Sequence, residues 1–150
     1  TRQGICPTGW HLPSDYEWNQ LEEVIALSAA DTYSTTGPTT WNSEYTTTSG
    51  YRGEHGQKMK STTAVNSLST NGTSKLYNAG GFDVLLVGYI YGNQAQSYGT
   101  NVNFWSSSSN MTESTYTAWC RSFTYNYIAV NRQFVQKSHL FSVRCKQNDN

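Results

Sequence analysis

Cysteine placement constrains this chain more than any other feature. Cys6 stands near one end, Cys145 near the other, and a third cysteine, Cys120, is left over. If the chain ends meet, Cys6 and Cys145 can be bridged, closing a loop of nearly the whole 150-residue chain. Chain entropy credits such a closure with about 4–5 kcal/mol, an upper figure because strain and residual structure erode it. A bridge of that kind needs an oxidising compartment. The other arrangement is two thiols buried far apart, and the spacing alone leaves both open.

Just after Cys6, the run "CPTGWHLPSDYEW" carries a helix start. Ser14 and Glu17 form an S-x-x-E capping box, each side chain able to satisfy a free backbone N–H. Asp15 adds negative charge where the helix dipole favours it. Trp18, Leu21, Val24, Ile25 and Leu27 follow at helical spacing, predicting a helix from Asp15 to Ala29. Residues 31–49 read as loop around Gly37-Pro38, "GQKMKSTTAV" as a turn or two of helix, and "NGTSKLYNAGG" as loop with a sharp Gly80-Gly81 turn. Five short runs then look like strands: "FDVLLVGYIYG", "NFWSSS", "YTAWCRSFTY", "IAVNRQFV" and "LFSVRC". The expected fold is α+β, one or two helices packed on small antiparallel sheets with long loops, in a single domain over residues 1–150. That length can bury a real core.

Strand alternation assigns faces. In "AWCRSF", Trp119, Arg121 and Phe123 share the bulky side and are expected to pack. Ala118, Cys120 and Ser122 face the other way, so Cys120 is expected outward. In "LFSVRC", Phe141, Val143 and Cys145 share a face and Cys145 is expected inward. Arg121, Arg132 and Arg144 fall on the last three strands, and a buried polar network is favoured for them over an anionic ligand site.

Composition excludes several functions. Net charge is zero with no basic stripe, so nucleic acid is not an expected partner. Charged residues are 13% of the chain, about half the usual share. Polar neutral residues replace them: 18 Ser, 19 Thr and 13 Asn make a third of the chain. No apolar run approaches the roughly 20 residues that span a bilayer, so this domain is not expected to insert in a membrane. With 11 Tyr among these adaptable hydrogen-bonding residues, the chemistry resembles that of binding loops. The chain opens on Thr1-Arg2-Gln3 without Met, the expectation for the C-terminal domain of a longer exported protein.

The runs "CPTGWHLPSDYEW", "GFDVLLVGY", "FWSSS" and "FSVRC" together resemble the Fibrobacter succinogenes major paralogous domain, a bacterial and mostly exported family. The resemblance covers Cys6 to Cys145 and is weakest between residues 30 and 56. It implies a fold like the formylglycine-generating-enzyme branch of C-type-lectin-like domains, with adjacent termini, which supports a Cys6–Cys145 disulfide. A narrower resemblance covers "FWSSS" and "AWCRSFTYNYIAVNRQFVQKSHLFSVRC". That stretch is similar to the variable region of proteins diversified by retroelements, where Asn-rich template codons are rewritten at adenines. Cys is one reachable outcome; Gln, Lys, Glu, Met and Trp are not. The resemblance thus implies that Cys120 is an accident of diversification, and that Ser122, Thr124, Tyr125, Tyr127, Ile128, Phe134, Val135, Ser138, His139 and Leu140 are further varied, ligand-binding positions. Trp119, Gln133, Gln136 and Lys137 would be invariant scaffold. Leu140 stands where the family pattern leads one to expect Gly.

Catalytic and metal chemistry find little support in the sequence. His11, His55 and His139 have no ligand spacing, so no metal or cofactor is expected. Calcium-gripping lectin motifs are absent, and residues 84–112 hold no Asp or Glu. Cys120 has no His positioned by sequence to activate it, so the chain is not expected to be an enzyme. The expected function is recognition of a protein or glycan, outside the cell, on a bacterial surface or a phage particle. Tyr125, Tyr127 and Phe134 are the expected aromatic anchors. The alternative is a fixed polysaccharide- or protein-binding module of a cell-envelope protein, resting on Trp41, Trp105 and Tyr98.

Overall fold

The computed structural model describes residues 4–27, 49–74, 82–110 and 116–149. Strand β1 (Trp10–His11) leads into helix α1 (Asp15–Leu27), and β2 (Gly50–Arg52) into a short helix α2 (His55–Met59). A hairpin of β3 (Tyr89–Tyr91) and β4 (Gln94–Gln96) precedes the meander β5 (Asn101–Ser109), β6 (Thr117–Thr124) and β7 (Val130–Gln136). A last strand, β8 (Lys146–Gln147), pairs antiparallel with β1. The main sheet has the order β2-β7-β6-β5, antiparallel throughout. The architecture is a small α+β domain with several antiparallel sheets.

The chain ends meet, as the family resemblance implied. Cys6 and Cys145 are bridged with Cα atoms 5.8 Å apart, next to the β1–β8 pair. The capping box forms: the Ser14 N–H donates to Glu17 at 2.9 Å, and the Glu17 N–H donates to Ser14 Oγ at 3.2 Å. Helix α1 starts where expected; Ser28 and Ala29 lie outside the described residues, as do Gly37-Pro38, Trp41 and the Gly80-Gly81 turn.

Its inward face carries Trp18, Leu21 and Ile25 of the expected apolar stripe on the core, and polar residues with them. Trp18 and Ala26 are buried, but so are Asp15, Asn19 and Glu22, while Val24 is exposed. Polar side chains at positions i, i+4 and i+7 occupy the inward face because partners on other elements meet them there. Apolar periodicity could not reveal those partners.

Two expected strands are corrected. In "FDVLLVGYIYG" only Tyr89–Tyr91 joins a ladder. Val84 and Leu86 are buried and Leu85 and Val87 exposed, so the period of two is real. Val84 makes one isolated bridge, to Lys60. Alternation reports extended backbone, and a ladder also needs a continuous partner. "LFSVRC" likewise touches neighbours at single residues, Leu140 with Ile90 and Ser142 with Phe104. The regular strand begins just after it, at Lys146.

The core gathers Trp18 of α1, Met59 of α2, Val84, Leu86, Val102, Phe104, Phe123 and Val130. Helix α2 lies close against the β6–β7 turn: a Cβ on Gly56 would sit 2.5 Å from the Ala129 carbonyl oxygen. From the end of α2, the fully buried Lys60 donates to the carbonyls of Thr124 (2.7 Å) and Tyr127 (2.5 Å) in that turn.

Candidate ligand-binding face

Cross-strand register sorts the main sheet into two faces. Val102, Phe104, Phe123, Val130, Arg121 and Arg132 turn toward α1. Rows on the opposite face run Trp105–Cys120–Gln133 and Asn103–Ser122–Asn131–Tyr51, flanked by Asn101–Thr124 and Ala118–Val135.

The helix-side face is held by charge. Arg121 bonds Glu22, Asp15 Oδ1 (2.7 Å) and Asn19 (2.9 Å). Arg132 donates to Asp15 Oδ2 at 2.7 Å and lies over the Trp119 ring at 3.5 Å. Arg52 donates to Glu22 (2.5 Å) and Asn19 (2.8 Å), and His55 meets Glu22 at 2.8 Å. Burial alone would raise the Asp15 and Glu22 carboxyls. For Asp15, the Arg132 hydrogen bond and the Arg121 charge outweigh it; for Glu22, the charges of Arg52 and Arg121 do. Both carboxyls end below the ordinary carboxylate range. The expected arginine network thus exists for Arg121 and Arg132. Arg144 is outside it: its Nη1 donates to the Phe82 carbonyl at 2.5 Å and its guanidinium lies 4.0 Å over the Phe82 ring.

The opposite face is neutral and half open. Cys120 is on it, as alternation required, but its outward exposure is corrected: the side chain is fully buried, and Ser122 is buried beside it. A short side chain between Trp105 and Gln133 is flanked by longer ones, and Gln133 also hydrogen-bonds the thiol. Burial pushes the Cys120 thiol up to about 12, the opposite of an activated nucleophile.

The other expected contact residues divide. Thr124 and Val135 are half-buried on the same face. Tyr127 is exposed at the turn and stacks on Tyr51, ring centroids 4.6 Å apart. Ile128, Ser138 and Leu140 are exposed, and His139 stacks on Tyr91 at 4.6 Å. Leu140 takes no left-handed backbone, so the expected Gly is not required here. Two anchors are corrected. Tyr125 packs against the hydrophobic core, and Phe134 belongs to the helix-side face, edge-on to Trp119 at 5.3 Å. Both are half-buried, with one side of the ring on a packing partner.

Sequence reasoning missed several members of this face. Asn101 and Asn103 were not expected there, while Trp105 was named only for the alternative reading; all three alternate in direction with Val102 and Phe104, a signal present in "NVNFW". Tyr51 had no local signal, because it arrives through the β2–β7 pairing. Asn101 Nδ2 donates to Ser122 Oγ (2.9 Å) and Thr124 Oγ1 (3.2 Å). The buried Oδ1 atoms of Asn101 and Asn103 have no hydrogen-bond partner among the described residues. One flank carries the aromatic series Tyr91, His139, Phe141, Trp105; the last two stack at 4.5 Å.

No three His, Cys, Asp or Glu side chains gather as a metal site among the described residues, and none of the described helices is long and apolar enough to cross a membrane. His11 is occupied by Glu17 (2.8 Å) and Asn148 (2.6 Å).

The chain matches the Fibrobacter succinogenes major domain over residues 1–146. It belongs to that family. No curated protein and no solved structure matches it. In this Fibrobacter succinogenes major domain, then, the strand meander turns one face to the core and its charge network and leaves the other neutral and half open.

Proposed function

We propose that this domain is a non-catalytic binding module of C-type-lectin-like type, exported and displayed on a bacterial surface or a phage particle. Its ligand, a protein or a glycan, is met by the sheet face that carries Thr124, Val135 and the exposed Tyr127, with Ser138, His139 and Leu140 at the rim. The observation that carries this reading is a division of labour: the helix-side face spends its charges on internal pairs, while the opposite face keeps neutral polar groups and exposed aromatic rings. Retroelement diversification of residues 120–140 belongs to the same reading.

Deep sequencing of the region encoding Thr112 to Cys145 in a source population tests it. Substitutions gathered at Thr124, Tyr127, Ser138 and His139, sparing Trp119 and Gln133, are expected. An invariant region sinks diversification. The burial of Cys120 and Ser122 favours a second reading, a fixed binding module of a cell-envelope protein in which those two residues are scaffold.

A further inference from the structure

The display face ends in a groove of about 780 Å³ that the varied positions do not build. One wall is the N-terminal segment, with Cys6 and Trp10; the other is the end of β5, with Trp105 and its serines. Between Trp105 and Ser109 the β5–β6 register slips, and this irregularity turns the serine run toward the N-terminal wall. We infer that this groove is a second binding site, and that its ligand is a neutral oligosaccharide.

The lining argues for that class. A sugar ring has apolar C–H faces and hydroxyls around its edge, so it asks for flat aromatic surface beside short neutral hydrogen-bonding groups. Trp10, which is 42% exposed, and Trp105 supply the surface. Ser107, Ser109 and Asn148 supply the polar groups. Among the lining cations, Lys137 donates to Ser109 Oγ at 2.8 Å and His11 meets Glu17 and Asn148, so each already has a hydrogen-bond partner beside the groove. A hydrocarbon ligand would strand the serine hydroxyls without partners. The volume lies within the roughly 300–1,000 Å³ of small-molecule sites.

Both platforms are held before any ligand arrives. Trp105 stacks on Phe141, and the Trp10 backbone is fixed by the β1–β8 pair and by its main-chain N–H donating to the Pro7 carbonyl at 3.0 Å. The Cys6–Cys145 bridge ties the N-terminal wall to the other end of the chain. Such preorganisation lowers the ordering cost of binding. Trp10 and Trp105 lie outside residues 120–140, so both platforms are present whether that region varies or not.

The intact domain is titrated with cellohexaose, xylohexaose, mannohexaose and the hexamer of β-1,4-linked N-acetylglucosamine, reading the indole N–H resonances. At least one is expected to bind saturably and to shift the Trp10 and Trp105 signals. Trp10→Ala, a change at an exposed side chain, is expected to weaken binding at least 10-fold. Trp105→Phe, which keeps an aromatic ring against Phe141, is expected to weaken it less, and Tyr127→Ala to leave it within 2-fold. Absence of binding by all four overturns the inference, as does unchanged affinity in Trp10→Ala. Loss in Tyr127→Ala alone places the sugar on the display face, which overturns the groove and leaves the display reading standing.

Discussion

The two faces of the main sheet are built from the same four strands and do opposite things. Toward α1, Arg121 and Arg132 are buried with Asp15 and Glu22, each charge answered by another. Away from α1, the rows of Cys120, Ser122, Asn131 and Gln133 carry no formal charge. A buried ion network tolerates no change in one partner, because removing it leaves an uncompensated charge in a dry place. Loss of a half-buried neutral group such as Asn131 or Gln133 costs less, because its partner can turn to water instead. The proposed ligand-binding surface lies on the second face, braced by the first.

The comparison breaks most visibly at Arg121. Arg121→Met is expected to destabilise the domain by about 3–5 kcal/mol, against about 1 kcal/mol or less for Asn131→Ala, both read from urea midpoints. Equal costs would show that the faces do not differ as described. Replacing both Cys6 and Cys145 with Ser is expected to cost about 2–5 kcal/mol, since the bridge closes a loop across 139 positions. A smaller loss would mean that the β1–β8 pair and the core hold the ends unaided.

Acid sharpens the contrast. The carboxyls of Asp15 and Glu22 titrate below their ordinary values in the fold, and Glu17 is lowered to about 2. For Glu17, burial opposes the shift, and the Ser14 N–H with Lys146 and His11 overcomes it. Groups depressed on folding contribute stability that is complete above the ordinary carboxylate value and lost as pH falls through the folded one. Denaturant midpoints are expected to hold from pH 7 to about 5 and to drop between about pH 4.5 and 2, with a weaker drop in Glu22→Gln. Midpoints that stay level down to pH 2 would remove the charge network from the account of stability.

Thiol chemistry probes the open face. The buried Cys120, its thiol pushed up to about 12, is expected to resist Ellman's reagent at pH 8 until the protein is unfolded. Rapid labelling of the native domain would make Cys120 a surface residue after all. The smallest effect is expected at the rim: Tyr127→Ala should change stability by less than about 0.5–1 kcal/mol, the loss of one exposed aromatic stack on Tyr51.

Much of this was legible in the chain. The capping box at Ser14 and Glu17, the meander of β5, β6 and β7, and the face alternation around Cys120 all rest on neighbours a few residues apart. Alternation also separated Trp119 and Arg121 from Cys120 correctly. It could not tell outward from exposed, because exposure depends on Trp105 and Gln133, which arrive from other strands. Tyr125 and Phe134 were misjudged as anchors for the same reason: an aromatic ring reads alike in sequence whether it meets solvent or a core.

Sequence by itself determined the helix start, the strand spacing, the neutral hydroxyl-rich chemistry and the two cysteines available to join the ends. Tertiary structure alone decided that α1 buries Asp15, Asn19 and Glu22, that Tyr51 comes beside Tyr127, and that Trp10 meets Trp105 across a groove. The physical reason is range. Hydrogen-bonded caps and strand periods are satisfied within a turn or a pleat, whereas a buried charge or a shared groove is defined only by residues that pairing brings together from far along the chain.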